Sequence, residues 1–444
     1  MITDPLFLAF VLLIIMLVFL LSSIWIAAAL ILTGIVGMLI YQVELPPAIS
    51  ILNKIGDLLS SSLYDTLNSW SLAALPLFIF MGELLYRSSV SDRLLTGLMP
   101  WVSRIPGSLL HVNVAACSLF AAVSGSSAAT TATVGKITLH ELKKRGYKQS
   151  LAIGSLAGSG TLGFLIPPSL IMIIYGVLAN VSIGKLFIGG ILPGILLASL
   201  YSGYIMLATT LDPTAVPKTK EVYSMWEYWK SLWDLLPILL LIFVVLGSIY
   251  GGFATPTEAA ALGVAGAIVL TFYFGTYTFS LMKESLFSAV KTTVMISFII
   301  TGAGFLSQVV GFLGIARALS EYIASLQLSP YALIIVVGFM YLLLGMILDG
   351  ISIVVMTLPI VLPIIVAAGF DTLWFGIFLV FMVELAQVTP PVGFSLFVIH
   401  SISHEPIGYI VKATLPFFLI MLLAVAIITL FPQIALFLPQ YMIK

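Results

Sequence analysis

The chain has 444 residues, with 18 Lys and Arg against 18 Asp and Glu, and only 8% of its residues are charged. Soluble domains carry roughly 25% charged residues, whereas this chain is 61% hydrophobic with a mean hydropathy of +1.20. That composition predicts an all-α polytopic membrane protein and excludes soluble enzymes, disulfide scaffolds and disordered regulators. Zero net charge without a basic patch argues against nucleic acid as a partner. Cys117 is the single cysteine and forms no internal disulfide.

A hydrocarbon layer about 30 Å thick takes roughly 20 apolar residues per helix. The first apolar stretch, residues 6–41, is too long for one span, and Ser22-Ser23 divides it into two. No cleavable leader is expected, since nothing basic precedes Lys54 and a second span follows at once. Residues 47–66 mix apolar and polar side chains and read as an amphipathic helix lying in the interface. Residues 219–234, with Trp226, Trp229 and Trp233, read the same way. Further spans are expected at 70–87, 148–180, 186–211, 235–252, 257–276, 291–312, 371–402 and 412–438.

Two apolar stretches, 108–140 and 331–368, are interrupted near their middles. The first holds Ser124-Gly125-Ser126-Ser127 and the second Asp349-Gly350-Ile351-Ser352. A polar break at mid-depth is costly in lipid unless it lines a protein cavity. The economical reading is a re-entrant hairpin; the alternative is two ordinary spans joined by a short exposed turn. With two hairpins and an extracytoplasmic N-terminus, the chain makes about ten full crossings and both termini are extracytoplasmic. Lys54, Lys185, Arg317 and Lys444 then fall outside, and the other 14 of the 18 basic residues inside, as the positive-inside rule requires.

Each hairpin is followed by a span broken at Pro-Pro, Pro167-Pro168 in one and Pro390-Pro391 in the other. Ser124 precedes Pro167 by 43 positions and Asp349 precedes Pro390 by 41. Two such units entering from opposite faces make inverted repeats of re-entrant helical hairpin plus broken helix. Proline lacks an N–H and clashes one turn back, so a Pro-Pro pair frees carbonyls, and nearby Ser and Thr add hydroxyls. These are hard oxygen ligands for a dehydrated small cation, while half-helix N-termini favour an anionic group. Such breaks mark the binding site of a secondary transporter; simple kink prolines are the blander alternative.

Proton coupling needs buried carboxylates or histidines. Candidates are Asp349, Glu384, Glu83 and Glu258, with His111, His140, His400 and His404 near the predicted interfaces. Hydroxyls and carbonyls dominate both breaks, which favours sodium. Asp349 either lends a site its charge or only caps a helix. No Walker A motif, HExxH, CxxC or G-x-S-x-G elbow occurs, so the chain hydrolyses no ATP. A stand-alone proton-coupled permease or exporter of organic anions stays open. So does an intramembrane serine enzyme, with Ser124 or Ser126 as nucleophile and His111 or His140 as base.

Several stretches resemble the large membrane subunit of TRAP (tripartite ATP-independent periplasmic) transporters. They are Ser124 to Thr130, Lys143 to Tyr147, Gly160 to Gly163 with Pro167-Pro168-Ser169, Leu348-Asp349-Gly350, Ile360 to Asp371, and Thr389 to Gly393. The resemblance runs from about Leu72 onward. It implies an elevator-type transporter in a bacterial cytoplasmic (inner) membrane, driven by sodium (Na+, two or more ions). It also implies two partners: a small four-helix membrane (Q) subunit and an extracytoplasmic substrate-binding (P) protein. The cargo would be a small acidic solute, such as a C4-dicarboxylate, sugar acid or sialic acid, and sometimes a zwitterion.

Carried over by position, one sodium site falls on Ser124, Ser126, Gly163, Ile166 and Pro168. The other falls on Asp349, Gly350, Thr389 and Val392, with Ile166 and Val392 acting through carbonyls. Substrate is expected near Ser127, Thr130 and Ser395, although many relatives have Asn where this chain has Ser395. The expected division is scaffold helices with an interfacial helix (1–107), transport repeat 1 (108–180), scaffold helices with connecting arms (181–328), transport repeat 2 (329–404) and a C-terminal helix (405–444).

Overall fold

The computed structural model describes residues 4–41, 50–217, 223–391 and 393–442. Lys218, Lys220 and Lys444 of the charge count, and Val392 of the second ligand set, lie outside the described residues.

Two apolar helices, α1 (Pro5–Leu21) and α2 (Ile26–Ile40), precede α3 (Ile51–Leu67), α4 (Ala74–Arg87) and α5 (Val90–Val102). The first polar-tipped pair is α6 (Leu110–Ser124) and α7 (Ser127–Lys144). After it come α8 (Gln149–Gly160), the single turn α9 (Leu162–Leu165) and α10 (Leu170–Leu178). Long helices fill the middle of the chain: α11 (Ile183–Leu211), α12 (Met225–Tyr250), α13 (Pro256–Tyr273) and α14 (Phe279–Phe312), then the shorter α15 (Ile315–Ser325). The second polar-tipped pair, α16 (Pro330–Gly345) and α17 (Gly350–Ala367), leads into α18 (Thr372–Gln387), α19 (Phe394–Ser403), α20 (Ile407–Leu430) and α21 (Gln433–Gln440).

Local chemistry sets these boundaries. Asp4 caps α1 by accepting from Leu6 N–H at 2.9 Å, and Ser23 at φ 60° ends it, so the Ser22-Ser23 division holds. Of the stretch 219–234, residues 219–222 lie outside the described residues, and 223–234 do not form a separate interfacial helix. Ser224 and Glu227 make a capping box, which starts one continuous helix running from Met225 to Tyr250. Trp226, Trp229 and Trp233 are exposed on its first turns. The span expected at 291–312 begins at Phe279, because Thr278 caps it there. The span expected at 412–438 splits into α20 and α21 at Phe431-Pro432.

Among the described residues, eight helical stretches are long and apolar enough to cross a bilayer. Seven coincide with expected spans, and the eighth is the hairpin arm α17. The remaining expected crossings correspond to the shorter α1 and α2 and to the interrupted α18–α19 stretch.

The apolar helices divide into inner and outer sets. The stretch Gln149–Leu178 is 83% buried, and every residue of α18 from Leu373 to Gln387 is buried. By contrast α12 is only 28% buried and α13 and α20 are 33% buried, with Phe243, Phe272 and Leu419 exposed. Those outer faces suit lipid. Because lipid is as apolar as leucine, contact between membrane helices depends on close packing at small residues. A Cβ on Gly154 of α8 would lie 2.2 Å from the Ala413 carbonyl of α20, and one on Gly302 of α14 would lie 2.8 Å from the Ala27 carbonyl of α2. Glycine is what brings these backbones together.

Candidate ion and solute site

Gly125 turns the chain between α6 and α7 with φ 59°, a left-handed conformation that glycine adopts without steric cost. Its N–H donates to the Ala121 carbonyl at 3.0 Å. Ser126 then caps α7, and the Ser124 hydroxyl lies 2.9 Å from that of Thr130. The two arms pack against each other as a hairpin.

The helix that follows is interrupted. α8 ends at Gly160, α9 ends at Leu165, Ile166 is extended and Pro167-Pro168 is a cis peptide. Neither proline can donate to the carbonyl one turn back, which for Pro167 is Gly163 and for Pro168 is Phe164. The hairpin tip sits on this break. The Leu170 N–H, past the prolines, donates to the Gly125 carbonyl at 3.2 Å. A Cβ on Gly125 would lie 2.8 Å from the Pro168 carbonyl, and one on Gly163 2.4 Å from Ser127 Cα and 2.8 Å from Ser126 C. The structure thus brings Ser124, Ser126, Gly163 and Pro168 together, with Ile166 as the extended residue of the break. Hydroxyls and backbone carbonyls at such a tip match the donors a small hard cation takes.

The second unit is arranged differently. Asp349 is exposed, and its carboxylate accepts from the N–H groups of Ile351 and Ser352 at 3.2 and 3.4 Å and from the Ser352 hydroxyl. It caps α17. Gly350 lies against α18, where a Cβ would approach Val383 at 2.5 Å and the Gln387 amide at 3.0 Å. α18 stops at Gln387, the cis Pro390-Pro391 peptide follows, and α19 starts at Phe394. Thr389 donates its hydroxyl to the Leu385 carbonyl at 2.6 Å, and its own carbonyl accepts from Gly393 N–H at 2.9 Å. Gly350 therefore meets the end of α18 at Gln387, with Thr389 two residues beyond, while the Asp349 carboxylate is engaged by its own helix start.

The three expected substrate residues are all buried. Ser127 donates its hydroxyl to Glu384, Thr130 pairs with Ser124, and the Ser395 hydroxyl has no partner among the described residues. Around them lie further buried polar side chains: Thr131, whose hydroxyl a Cβ on Gly160 would meet at 2.0 Å, and Ser159, Glu384 and Gln387. Of these the sequence reading singled out only Glu384, as a proton candidate. The usable signal was Glu384 and Gln387 three positions apart in an otherwise apolar helix, which puts both on one face.

Of the other candidate proton carriers, Glu83, Glu258, His111 and His400 have structural partners. Glu83 pairs with Arg87 at 2.9 Å and accepts from Ser288 at 2.8 Å, and Glu258 completes a capping box with Thr255. The His111 ring bonds Ser202 at 3.2 Å and the Pro106 carbonyl at 2.8 Å, and His400 bonds the Glu405 carbonyl at 2.7 Å. Among the described residues neither His111 nor His140, the expected bases, makes a hydrogen bond to Ser124 or Ser126.

Residues 13–434 match the family described as "Tripartite ATP-independent periplasmic transporter, DctM component". The chain is 35% identical over 386 residues to the C4-dicarboxylate TRAP transporter large permease protein DctM of Pseudomonas aeruginosa, covering 86% of this chain and 90% of that one. It is 33% identical to the ectoine TRAP transporter large permease protein TeaC of Halomonas elongata, covering 83% and 86%. With the sialic acid TRAP transporter large permease protein SiaM of Vibrio cholerae it shares 29% identity, covering 84% and 87%. The fold is similar to that of the YdaH transporter of Alcanivorax borkumensis, with a TM-score of 0.60 at 13% identity over 96% of this chain and 98% of that one.

Proposed function

The chain belongs to the DctM-component family of tripartite ATP-independent periplasmic transporters, and on that premise we propose that it imports a small acidic organic solute together with two or more sodium ions. It is a multi-pass integral membrane subunit of a secondary transporter, not an enzyme. In this reading sodium is a co-transported substrate. Ser124, Ser126, Gly163, Ile166 and Pro168 hold one ion; Asp349, Gly350, Thr389 and Val392 hold the other. The observation that supports it is the first hairpin tip seated on the Pro167-Pro168 break by the Leu170–Gly125 hydrogen bond. An interrupted helix is tolerated in a membrane where its freed backbone lines a protein site.

The units 108–180 and 329–404 form inverted repeats and move as one transport domain against the scaffold of 1–107, 181–328 and 405–444, which is an elevator motion. The solute sits near Ser127, Thr130 and Ser395. Because these are buried here, loading requires the tip to part from the break. An extracytoplasmic binding protein delivers the solute and a separate small four-helix subunit docks on the scaffold. The chain sits in the inner membrane with both termini extracytoplasmic, an orientation supported by the 14-to-4 division of Lys and Arg.

The test is uptake in proteoliposomes containing the small subunit and supplied with the binding protein. Uptake should follow an imposed sodium gradient and be abolished by Ser126→Ala and by Asp349→Ala. Undiminished uptake in both variants, or uptake that follows a proton gradient alone, would overturn the assignment.

A further inference from the structure

Glu384 is 1% exposed in the middle of the inner helix set. Its Oε1 accepts from the Phe164 N–H at 2.8 Å and from the Ser127 hydroxyl, while Oε2 is buried without a hydrogen-bond partner among the described residues. No Lys or Arg forms an ion pair with it among the described residues. A buried carboxylate without a cation is costly, so this group carries either a proton or a compensating cation.

Its two donors indicate where such a cation lies. Ser127 directly follows Ser126 on the hairpin tip, and Phe164 directly follows Gly163 on the broken helix. These are the two segments that Gly163 presses together, within 2.4–2.8 Å of an added Cβ. The first cradle (Ser124, Ser126, Gly163, Ile166 and Pro168) has no acidic side chain of its own, whereas the second contains Asp349. We propose that Glu384, contributed by α18 of the second hairpin–helix unit, is the positioning and charge-balancing residue of the first cation cradle. Its carboxylate fastens the tip to the break through Ser127 and Phe164, and the cation held beside them offsets its charge. α18 also touches the second tip, where Gln387 meets Gly350. One rigid helix thus contacts both cradles, and this gives the two ions a physical route by which one senses the other.

The inference rests on the sodium reading above, and the experiment separates the two. Sodium is titrated against purified complex, reading thermal stabilisation, and in parallel against proteoliposome uptake at saturating solute, for wild type, Glu384→Gln, Ser127→Ala and Ser126→Ala. Glu384→Gln keeps an acceptor for both donors but removes the charge. Its sodium midpoint should rise about tenfold in both measurements, the loss expected for a charged hydrogen-bonding group, and the Hill coefficient should fall toward one. Ser127→Ala, which leaves the carboxylate in place, should shift the midpoint in the same direction by less, and it decides the matter if Glu384→Gln does not fold. A wild-type sodium midpoint in these variants, with sodium dependence lost in Ser126→Ala, overturns the role of Glu384 alone. Absence of sodium stabilisation in wild type overturns both.

Discussion

Gly163 has no room for a side chain, because the atoms facing it are the backbone of Ser126 and Ser127 rather than a flexible side-chain end. Gly163→Ala should therefore lift the hairpin tip off the break, with an overpacking cost of about 1–3 kcal/mol. A lowered melting temperature and a raised sodium midpoint in detergent would register it. Ile166, by contrast, would act through its carbonyl, so Ile166→Val should leave uptake within about twofold of wild type, less than a 1.4 kcal/mol effect. A tenfold loss in Ile166→Val would show that its side chain, which lies 3.1 Å from where a Cβ on Gly194 would be, matters instead. The polar hairpin tip and the Pro-Pro break were legible because serine, glycine and proline each carry a backbone signature, whereas their grouping into one ion site came only from the family resemblance. The engagement of Ser127 by Glu384 was not, since the partner lies 257 positions away and no local pattern reports it.

Helices rather than single residues decide how the two hairpin–helix units are tied to the rest. Lys148, at the start of α8, donates its N–H to the Ala215 carbonyl at 3.0 Å and its ammonium to Asp212 at 2.9 Å. It thereby joins the first hairpin–helix unit to the connection after α11. The Thr214 hydroxyl, and after it the Lys148 ammonium, hold the Asp212 carboxyl below its usual range, and the Asp212 hydrogen bond raises Lys148. A depressed carboxyl contributes stability above its unfolded pKa, about 4, and that contribution fades as pH falls through the lower folded value. A raised ammonium contributes below its unfolded pKa, and its share fades as pH rises through the folded value. The tie is thus at full strength between the two. Both groups are solvent-exposed, so Asp212→Asn should change melting little at pH 7 and flatten the acid-side slope below about pH 4. Thermal melts across that range check it. At this scale the expectation of a separate interfacial helix differs from the structure over 223–234, because the three tryptophans follow directly on the Ser224–Glu227 capping box that starts the continuous helix α12.

At the scale of the molecule, a cavity of about 440 Å³ lies between Ser62, Asp65, Ser307 and Gln308 of α3 and α14 on one side and Asn180 and Pro359 on the other. In the elevator reading it separates scaffold from transport domain, and sliding would change its width. Ser307→Trp should fill it and reduce uptake at least tenfold, while leaving sodium-induced stabilisation within about twofold, a change under 1.4 kcal/mol. Equal loss of both would mean that the variant misfolds rather than jams. Orientation has its own test. The sole cysteine, Cys117, is fully buried, so a cysteine placed at Ser329 or Lys144, both exposed, provides the only accessible thiol. An impermeant maleimide should label Ser329→Cys from outside intact cells and reach Lys144→Cys only after lysis. The reverse pattern would invert the assigned topology.

Local sequence chemistry was enough to make the chain a helical membrane protein, to break two of its helices at Pro167-Pro168 and Pro390-Pro391, and to put oxygen donors at those breaks. Each of these follows from local chemistry: apolar run length, missing proline N–H groups, glycine at a turn. Which apolar helices lie inside and which face lipid was left to the tertiary structure. α18 and α20 are both strongly apolar, yet α18 is enclosed and α20 is one-third buried, because lipid and protein interior reward the same side chains. Only packing distinguished them, through glycines that admit a neighbouring backbone. Packing also carried the carboxylate of the second unit to the tip of the first.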